Sequence, residues 1–244
     1  MFMHNGSALL SYIAMASPAG KSKNRKVDKA LITCCSFIAD FGKIKRRLQQ
    51  SLKDELFSHV QGNTDSEWCF ALFLNQIPDP LKGDFNYQIL SRAVLATITL
   101  LNQWSEEAGI HEVFHVSLLR KRGHTSSDEC FHDHQPSLMN FAVTDGVSVV
   151  CTRYVNHGGE AASLFFSSGT AFEEFQPGQY RMTKADRRED VVIVTSEPLT
   201  FESSDWLAVP LNTILAITPK LNVLLQPILD QYYPGDPGSA VLRA

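Results

Sequence analysis

No apolar run in this chain of 244 residues approaches the roughly 20 residues that would span a bilayer, which argues against a membrane-spanning helix. Basic charge is also lacking. A net charge of −4 offers no positive surface of the kind nucleic acid requires. The five cysteines, Cys34, Cys35, Cys69, Cys130 and Cys151, are odd in number and scattered. No pair has the spacing of a zinc ribbon or a thioredoxin-type motif. Cys69 and Cys151 stand in apolar surroundings, where a thiol behaves as a small hydrophobe. The cysteine usage points to a reduced, intracellular protein. The sequence has no internal repeat either. What it does have is 44% hydrophobic and 20% charged residues with mean hydropathy −0.10, enough to bury one sizeable core.

Helical periodicity fills the first half. Phe37, Phe41, Ile44, Leu48, Leu52 and Leu56 recur at three- and four-residue steps, predicting one amphipathic helix over 37–60. Thr64-Asp65-Ser66-Glu67 resembles a cap followed by first-turn acids, so a second helix starts at 64 or 65 and stops before Pro78. A third runs over 87–108, with Gly109 placed to end it.

The period then changes. β-rich runs flank Asp145-Gly146 within 138–155, a strong hairpin signal. Further strands are expected at 162–167, 190–196, 206–209, 213–217 and 223–228, with polar loops at 120–135 and 173–186. The Pro- and Gly-containing end, 231–244, reads as a flexible tail. Helices first and antiparallel strands later imply an α+β fold.

Two local patterns suggest other chemistry. His111-Glu112-Val113-Phe114-His115 fits the zinc-protease pattern, and Cys130, His132 and His134 could add ligands. That site needs both histidines on one helical face. Here Gly109 has just ended a helix and 112–119 reads as a strand, so no metal and no cofactor are expected. Residues 8–16, ending in Ala14-Met15-Ala16, mimic a secretory signal. Nothing basic precedes them, and Lys21, Lys23, Arg25 and Lys26 lie on the wrong side.

Three segments in order carry a family resemblance. The first is Phe2-Met3-His4-Asn5-Gly6. The second runs from Phe37-Ile38 and Phe41 through Ile44-Lys45-Arg46-Arg47-Leu48 to Gly62-Asn63-Thr64-Asp65-Ser66-Glu67. The third comprises Asn140-Phe141-Ala142-Val143-Thr144-Asp145-Gly146, Thr152-Arg153-Tyr154, Ser196-Glu197-Pro198-Leu199-Thr200, Asp205-Trp206, Val209-Pro210 and Asn212-Thr213. Together they resemble the class-II glutamine amidotransferases, which are N-terminal-nucleophile hydrolases. The nearest likeness is to the stand-alone branch that includes the fungal amidotransferase-like subunit of the glutathione-degrading complex.

The resemblance implies a four-layer αββα sandwich, here missing its first strands, over 1–230. It implies hydrolysis of a γ-glutamyl amide: glutathione to glutamate plus Cys-Gly, with glutamine hydrolysis as an ammonia donor the alternative. It also implies a metallopeptidase-like protein partner and a cytoplasmic location, and no nucleic acid or membrane. Taken alone, Asn5-Gly6 reads as an ordinary turn and Asp65 as an acid complementing a helix dipole. By resemblance, Asn5 and Gly6 form the oxyanion hole, while Gly6, Thr64 and Asp65 bind substrate, Asp65 gripping its α-ammonium. Glu67 reads as a helix-start acid.

Two departures accompany the likeness. Members begin Met-Cys, so that a freed cysteine attacks the amide with its own α-amine as base. Here Phe2 follows Met1, so the nucleophile and an upstream arginine are expected to be absent and the chain alone to be inactive, or a non-catalytic binding subunit. Residues 7–36 also separate Gly6 from Phe37, and excising them restores the family's spacing. They read as an insert, such as an unspliced intron.

Overall fold

The computed structural model describes residues 12–16, 31–80, 85–110, 136–157, 161–185 and 189–235. Asn5, Gly6, the strand expected at 112–119, the possible metal ligands of 111–134 and the last part of the tail lie outside them. Two helices, α1 (Phe41–Ser51) and α2 (Asp54–His59), replace the single helix expected over 37–60. The break has a tertiary cause. Leu52 and Lys53 are extended, with ψ of 146° and 144°. The Asn75 side chain accepts from Lys53 N and donates to Ser51 O, both at 3.2 Å, so a distant amide satisfies groups that a continuing helix would have paired.

Helix α3 (Asp65–Asn75) begins at the cap expected at 64 or 65, and α4 (Tyr87–Glu107) begins at 87 as expected. Thr64 accepts from Glu67 N and Asn86 from Ile89 N, each satisfying an orphan amide of the first turn. Gly109, at φ 67°, follows α4 in the left-handed conformation that commonly ends helices.

The strands are β1 (Tyr12–Ala16), β2 (Leu31–Phe37), β3 (Leu138–Thr144), β4 (Val149–Arg153), β5 (Phe165–Gly169), β6 (Ala171–Gln176), β7 (Gln179–Thr183), β8 (Val191–Thr195), β9 (Leu207–Ala208), β10 (Thr213–Ile217) and β11 (Val223–Pro227). They form antiparallel sheets in the orders β11-β10-β4-β3-β2 and β1-β8-β5-β9, with β6 and β7 as a separate hairpin. The Asp145-Gly146 turn joins β3 to β4 as expected, Gly146 supplying φ 86° and the Asp145 carboxylate accepting from Val147 N and Ser148 N. Residues 7–36, read above as an insert, contribute β1 and all of β2 except Phe37. Both strands sit at sheet edges.

Side-chain alternation builds the layers. On β4 and β10, Val150, Ile214 and Ala216 face α1, α3 and α4 in the larger core. Their neighbours Val149, Cys151, Leu215 and Ile217 meet Phe166, Val192 and Val194 of the four-stranded sheet. Helix, sheet and sheet thus stack in order. The outer face of the second sheet is covered by the β6–β7 hairpin, where Met182 packs with Val191, Ile193 and Trp206. This hairpin corrects the loop expected over 173–186. It buries almost nothing besides Met182, so its sequence reads as polar. The second helical layer of an αββα sandwich is not among the described residues.

Candidate functional site

The first turn of α3 gathers the residues that carry the resemblance. Asp65 is half-buried. Its Oδ2 accepts from Ile38 N at 3.0 Å, and its Oδ1 from Ser66 N at 2.8 Å. A carboxylate offers about four acceptor positions, so capacity remains for a further donor. No cation pairs with Asp65 among the described residues: Lys45, on the facing helix, donates instead to Asn63 Oδ1 at 2.9 Å and lies over the Trp68 ring. Thr64 and Asp65 are therefore together, with Thr64 spent on the cap. Gly6 and Asn5 fall outside the described residues.

Glu67 is buried, and its role is structural. Its carboxylate accepts from Gln61 N at 3.0 Å, while its own N–H donates to Thr64. The exchange resembles a capping box displaced toward the N-terminus. Gly62 permits it, because a Cβ there would lie inside the Glu67 carboxylate.

Ile38 ties Asp65 to the sheet end. The next residue, Ala39, donates from N to Ser137 Oγ at 3.0 Å, and Ser137 N donates to Asn156 Oδ1 at 3.0 Å. Leu138 and Val155 form a bridge beside them. The start of α3, the end of β2, the start of β3 and the segment after β4 therefore meet at one end of the five-stranded sheet.

Several other resemblance residues prove to be stitches. Asn140 accepts from Tyr154 N and donates to Ala162 O. Thr152 Oγ accepts from Phe141 N and donates to Met139 O. Asn212 sits at φ 49°, a region Asn tolerates better than most residues. Its amide binds both backbone groups of Val155 as well as Tyr232 O. Sequence reasoning overlooked the Ile38 amide as the partner of Asp65, since nothing local connects residues 27 apart.

Cys151 is a poor nucleophile. Cys69 and Cys151 are buried and in no disulfide, and burial pushes the Cys151 thiol up to about 12, leaving almost no thiolate of Cys151 near neutral pH. No group of three or more metal-binding side chains occurs among the described residues. No helix among them is long and apolar enough to cross a membrane.

No family model matches the chain. It is 46% identical over 207 residues to the probable glutamine amidotransferase DUG3 of Saccharomyces cerevisiae. The match covers 82% of this chain and 52% of that protein, so the chain spans about half the length of this relative. Similar solved structures include a glutamine aminotransferase class-II domain protein from Silicibacter pomeroyi, at 18% identity and TM-score 0.49, covering 82% of this chain and 68% of that one. Another is a predicted glutamine amidotransferase from Pseudomonas aeruginosa, at 15% identity and TM-score 0.45, covering 80% and 59%.

Proposed function

We propose that this chain, similar to a probable glutamine amidotransferase of Saccharomyces cerevisiae, is of the class-II type, binds a γ-glutamyl amide through Asp65 and belongs to a protein that hydrolyses it. The observation that supports this reading is the Asp65 carboxylate: half-buried, held by Ile38 N and Ser66 N, and without a cation among the described residues. A free α-ammonium supplies the missing charge, and a hydrogen bond between two ions is among the stronger polar contacts.

In the proposed reaction a cysteine thiolate attacks the amide carbon. Asn5 and Gly6 donate to the oxyanion that forms, using a side-chain NH2 and an unobstructed backbone N–H. The amine leaves with a proton, and water then cleaves the thioester to glutamate. Neither Cys69 nor Cys151 suits the nucleophile's task, so the thiol comes from elsewhere, or the chain serves as a non-catalytic binding subunit. Within the γ-glutamyl class we assign glutathione, released as glutamate and Cys-Gly, ahead of glutamine. A metallopeptidase-like partner, a cytoplasmic setting and the complete αββα sandwich complete the proposal.

Calorimetric titration tests it. Glutathione and its N-acetyl derivative are titrated into the parent and into Asp65→Asn. Loss of a charged hydrogen bond, about 1.5–3 kcal/mol, corresponds to roughly ten- to 150-fold weaker binding of glutathione. The N-acetyl derivative, which has no ammonium, should bind both proteins alike. Equal affinity of the two proteins for glutathione would remove Asp65 from the site.

A further inference from the structure

Strand β11 closes one side of the five-stranded sheet, and its outer edge is unpaired among the described residues. The hydrogen bonds to β10 show which groups that edge presents. Thr218 N donates to Asn222 O and Ile228 N to Asn212 O, in the same register as Ile214↔Gln226 and Ala216↔Leu224. Bonded pairs alternate along an antiparallel ladder, so Asn222, Leu224, Gln226 and Ile228 turn their backbone groups toward β10. Val223, Leu225 and Pro227 turn theirs outward. The open edge is therefore lined by the amides and carbonyls of Val223 and Leu225, followed by a proline carbonyl.

Apart from Pro227, little guards this edge. Natural edge strands are kept apart by shortness, bulges or charge, and β9, at the edge of the other sheet, is two residues long. Across 221–229, in contrast, no residue is charged, and Leu224 and Leu225 are 40% and 45% exposed. They lie on opposite faces, Leu224 beside Ala216 on the helix side and Leu225 beside Leu215 on the inter-sheet side. Charge stands at the two ends of the segment. Lys220, exposed and in no ion pair among the described residues, precedes it, and Asp230 follows it.

We propose that β11 is a self-association edge, where a second copy of this chain pairs antiparallel with Leu224 opposite Leu224 and joins two five-stranded sheets into one. In that register Val223 of each copy exchanges both backbone bonds with Leu225 of the other, so every outward amide and carbonyl of these residues is satisfied. Centring the pair on Leu225 would instead set each Val223 carbonyl against Pro227, which has no N–H to give. Charge favours the same direction. A parallel arrangement brings like ends together, whereas the antiparallel one brings Lys220 of one copy to the Asp230 end of the other. The two Leu224 side chains then meet at a pair without hydrogen bonds, where Cα atoms approach to about 4.5 Å. Backbone bonds thus flank an apolar centre, and none of this depends on the γ-glutamyl reading of Asp65.

Analytical ultracentrifugation of the full chain over a concentration series tests it, together with cysteine cross-linking. The parent should sediment as a dimer. Leu224→Lys, which sets two ammonium groups side by side on the twofold axis, should sediment as a monomer with an unchanged far-UV spectrum. Under mild oxidation Leu224→Cys should form a 224–224 disulfide between copies, identified by the mass of the linked peptide, because its Cα pair lies within disulfide range. Gln226→Cys lies on the same face, but its two copies stand four residues apart in this register, roughly 13 Å, and should not link. A parent that stays monomeric up to its solubility limit overturns the inference and leaves the edge to a strand of another protein. A dimer that persists in Leu224→Lys, or linkage at 226 as ready as at 224, overturns it too. The two cysteine variants decide the question even if Leu224→Lys fails to fold.

Discussion

The hydroxyl of Tyr154 donates to the Asp230 carboxylate at 2.6 Å, joining the end of β4 to the segment that follows β11. Tyr154 is completely buried, and its hydroxyl also accepts from Asn102 of α4 at 2.6 Å. Burial, and then the bond to Asp230, push its acidity well below that of ordinary tyrosine. One side chain thus pins a helix, a strand and the chain beyond β11. Two residues later Tyr232 donates to Glu106 of the same helix at 2.9 Å, and Gln231 also bonds that carboxylate.

Tyr154→Phe should therefore destabilise the fold although it keeps the ring. It removes a hydrogen bond to a charged group and leaves the Asn102 amide, whose Oδ1 already lacks a partner, without its acceptor. The expected loss is about 1.5–3 kcal/mol, visible as a lower urea midpoint at unchanged m-value. A change within about 0.5 kcal/mol, the range of an indifferent surface substitution, would show that the bond contributes nothing net.

Gly62→Ala should lower stability by about 1–2 kcal/mol, since the new methyl must expel the Glu67 carboxylate from its bond to Gln61 N. Much of that loss should disappear in a Glu67→Ala background, because the clash and the bond vanish together. A double-mutant cycle measures the coupling. Additive effects would place the strain elsewhere.

Stability should also fall in alkali with a defined onset. Burial raises the Cys151 thiol from 9.0 to about 12, so the folded state keeps a proton that the unfolded state releases. The contribution is complete below pH 9 and is lost as pH climbs toward 12, at a slope of up to about 1.4 kcal/mol per unit. Tyr154 and Tyr232, both raised chiefly by burial, add to the slope above pH 10. Cys151→Ala should flatten the segment between 9 and 10, read from urea midpoints across the range. A slope there that matches the parent's would assign it to other groups.

Deletion of residues 7–36 distinguishes two views of that segment. It pairs β1 with β8 along five residues and supplies six of the seven β2 residues paired with β3. Removing it should expose two strand edges, lower the thermal midpoint and promote association. An unspliced insert would instead leave the midpoint unchanged or improve solubility. Thermal melts combined with light scattering separate the outcomes.

Local sequence determined a good deal of this protein by itself. Caps are written at Thr64 and Asn86, where a side chain and an amide three residues on can meet within one turn. Gly109 and Gly146 mark backbone conformations that other residues resist. The alternation around Asp145-Gly146 specified the hairpin because side-chain period and pleat coincide. The three ordered segments from Phe2 to Thr213 carried the resemblance to class-II glutamine amidotransferases. Tertiary structure decided the rest. The break at Leu52 depends on Asn75, and no proline or glycine announces it. The β6–β7 hairpin has few buried residues to betray it, being held by Met182 on another sheet. Asp65 finds Ile38, Arg153 finds Val209, and Tyr154 finds Asp230 across separations of 27, 56 and 76 residues. Such polar contacts have no period and no spacing, because a folded core, not the neighbouring sequence, brings the partners within hydrogen-bonding distance.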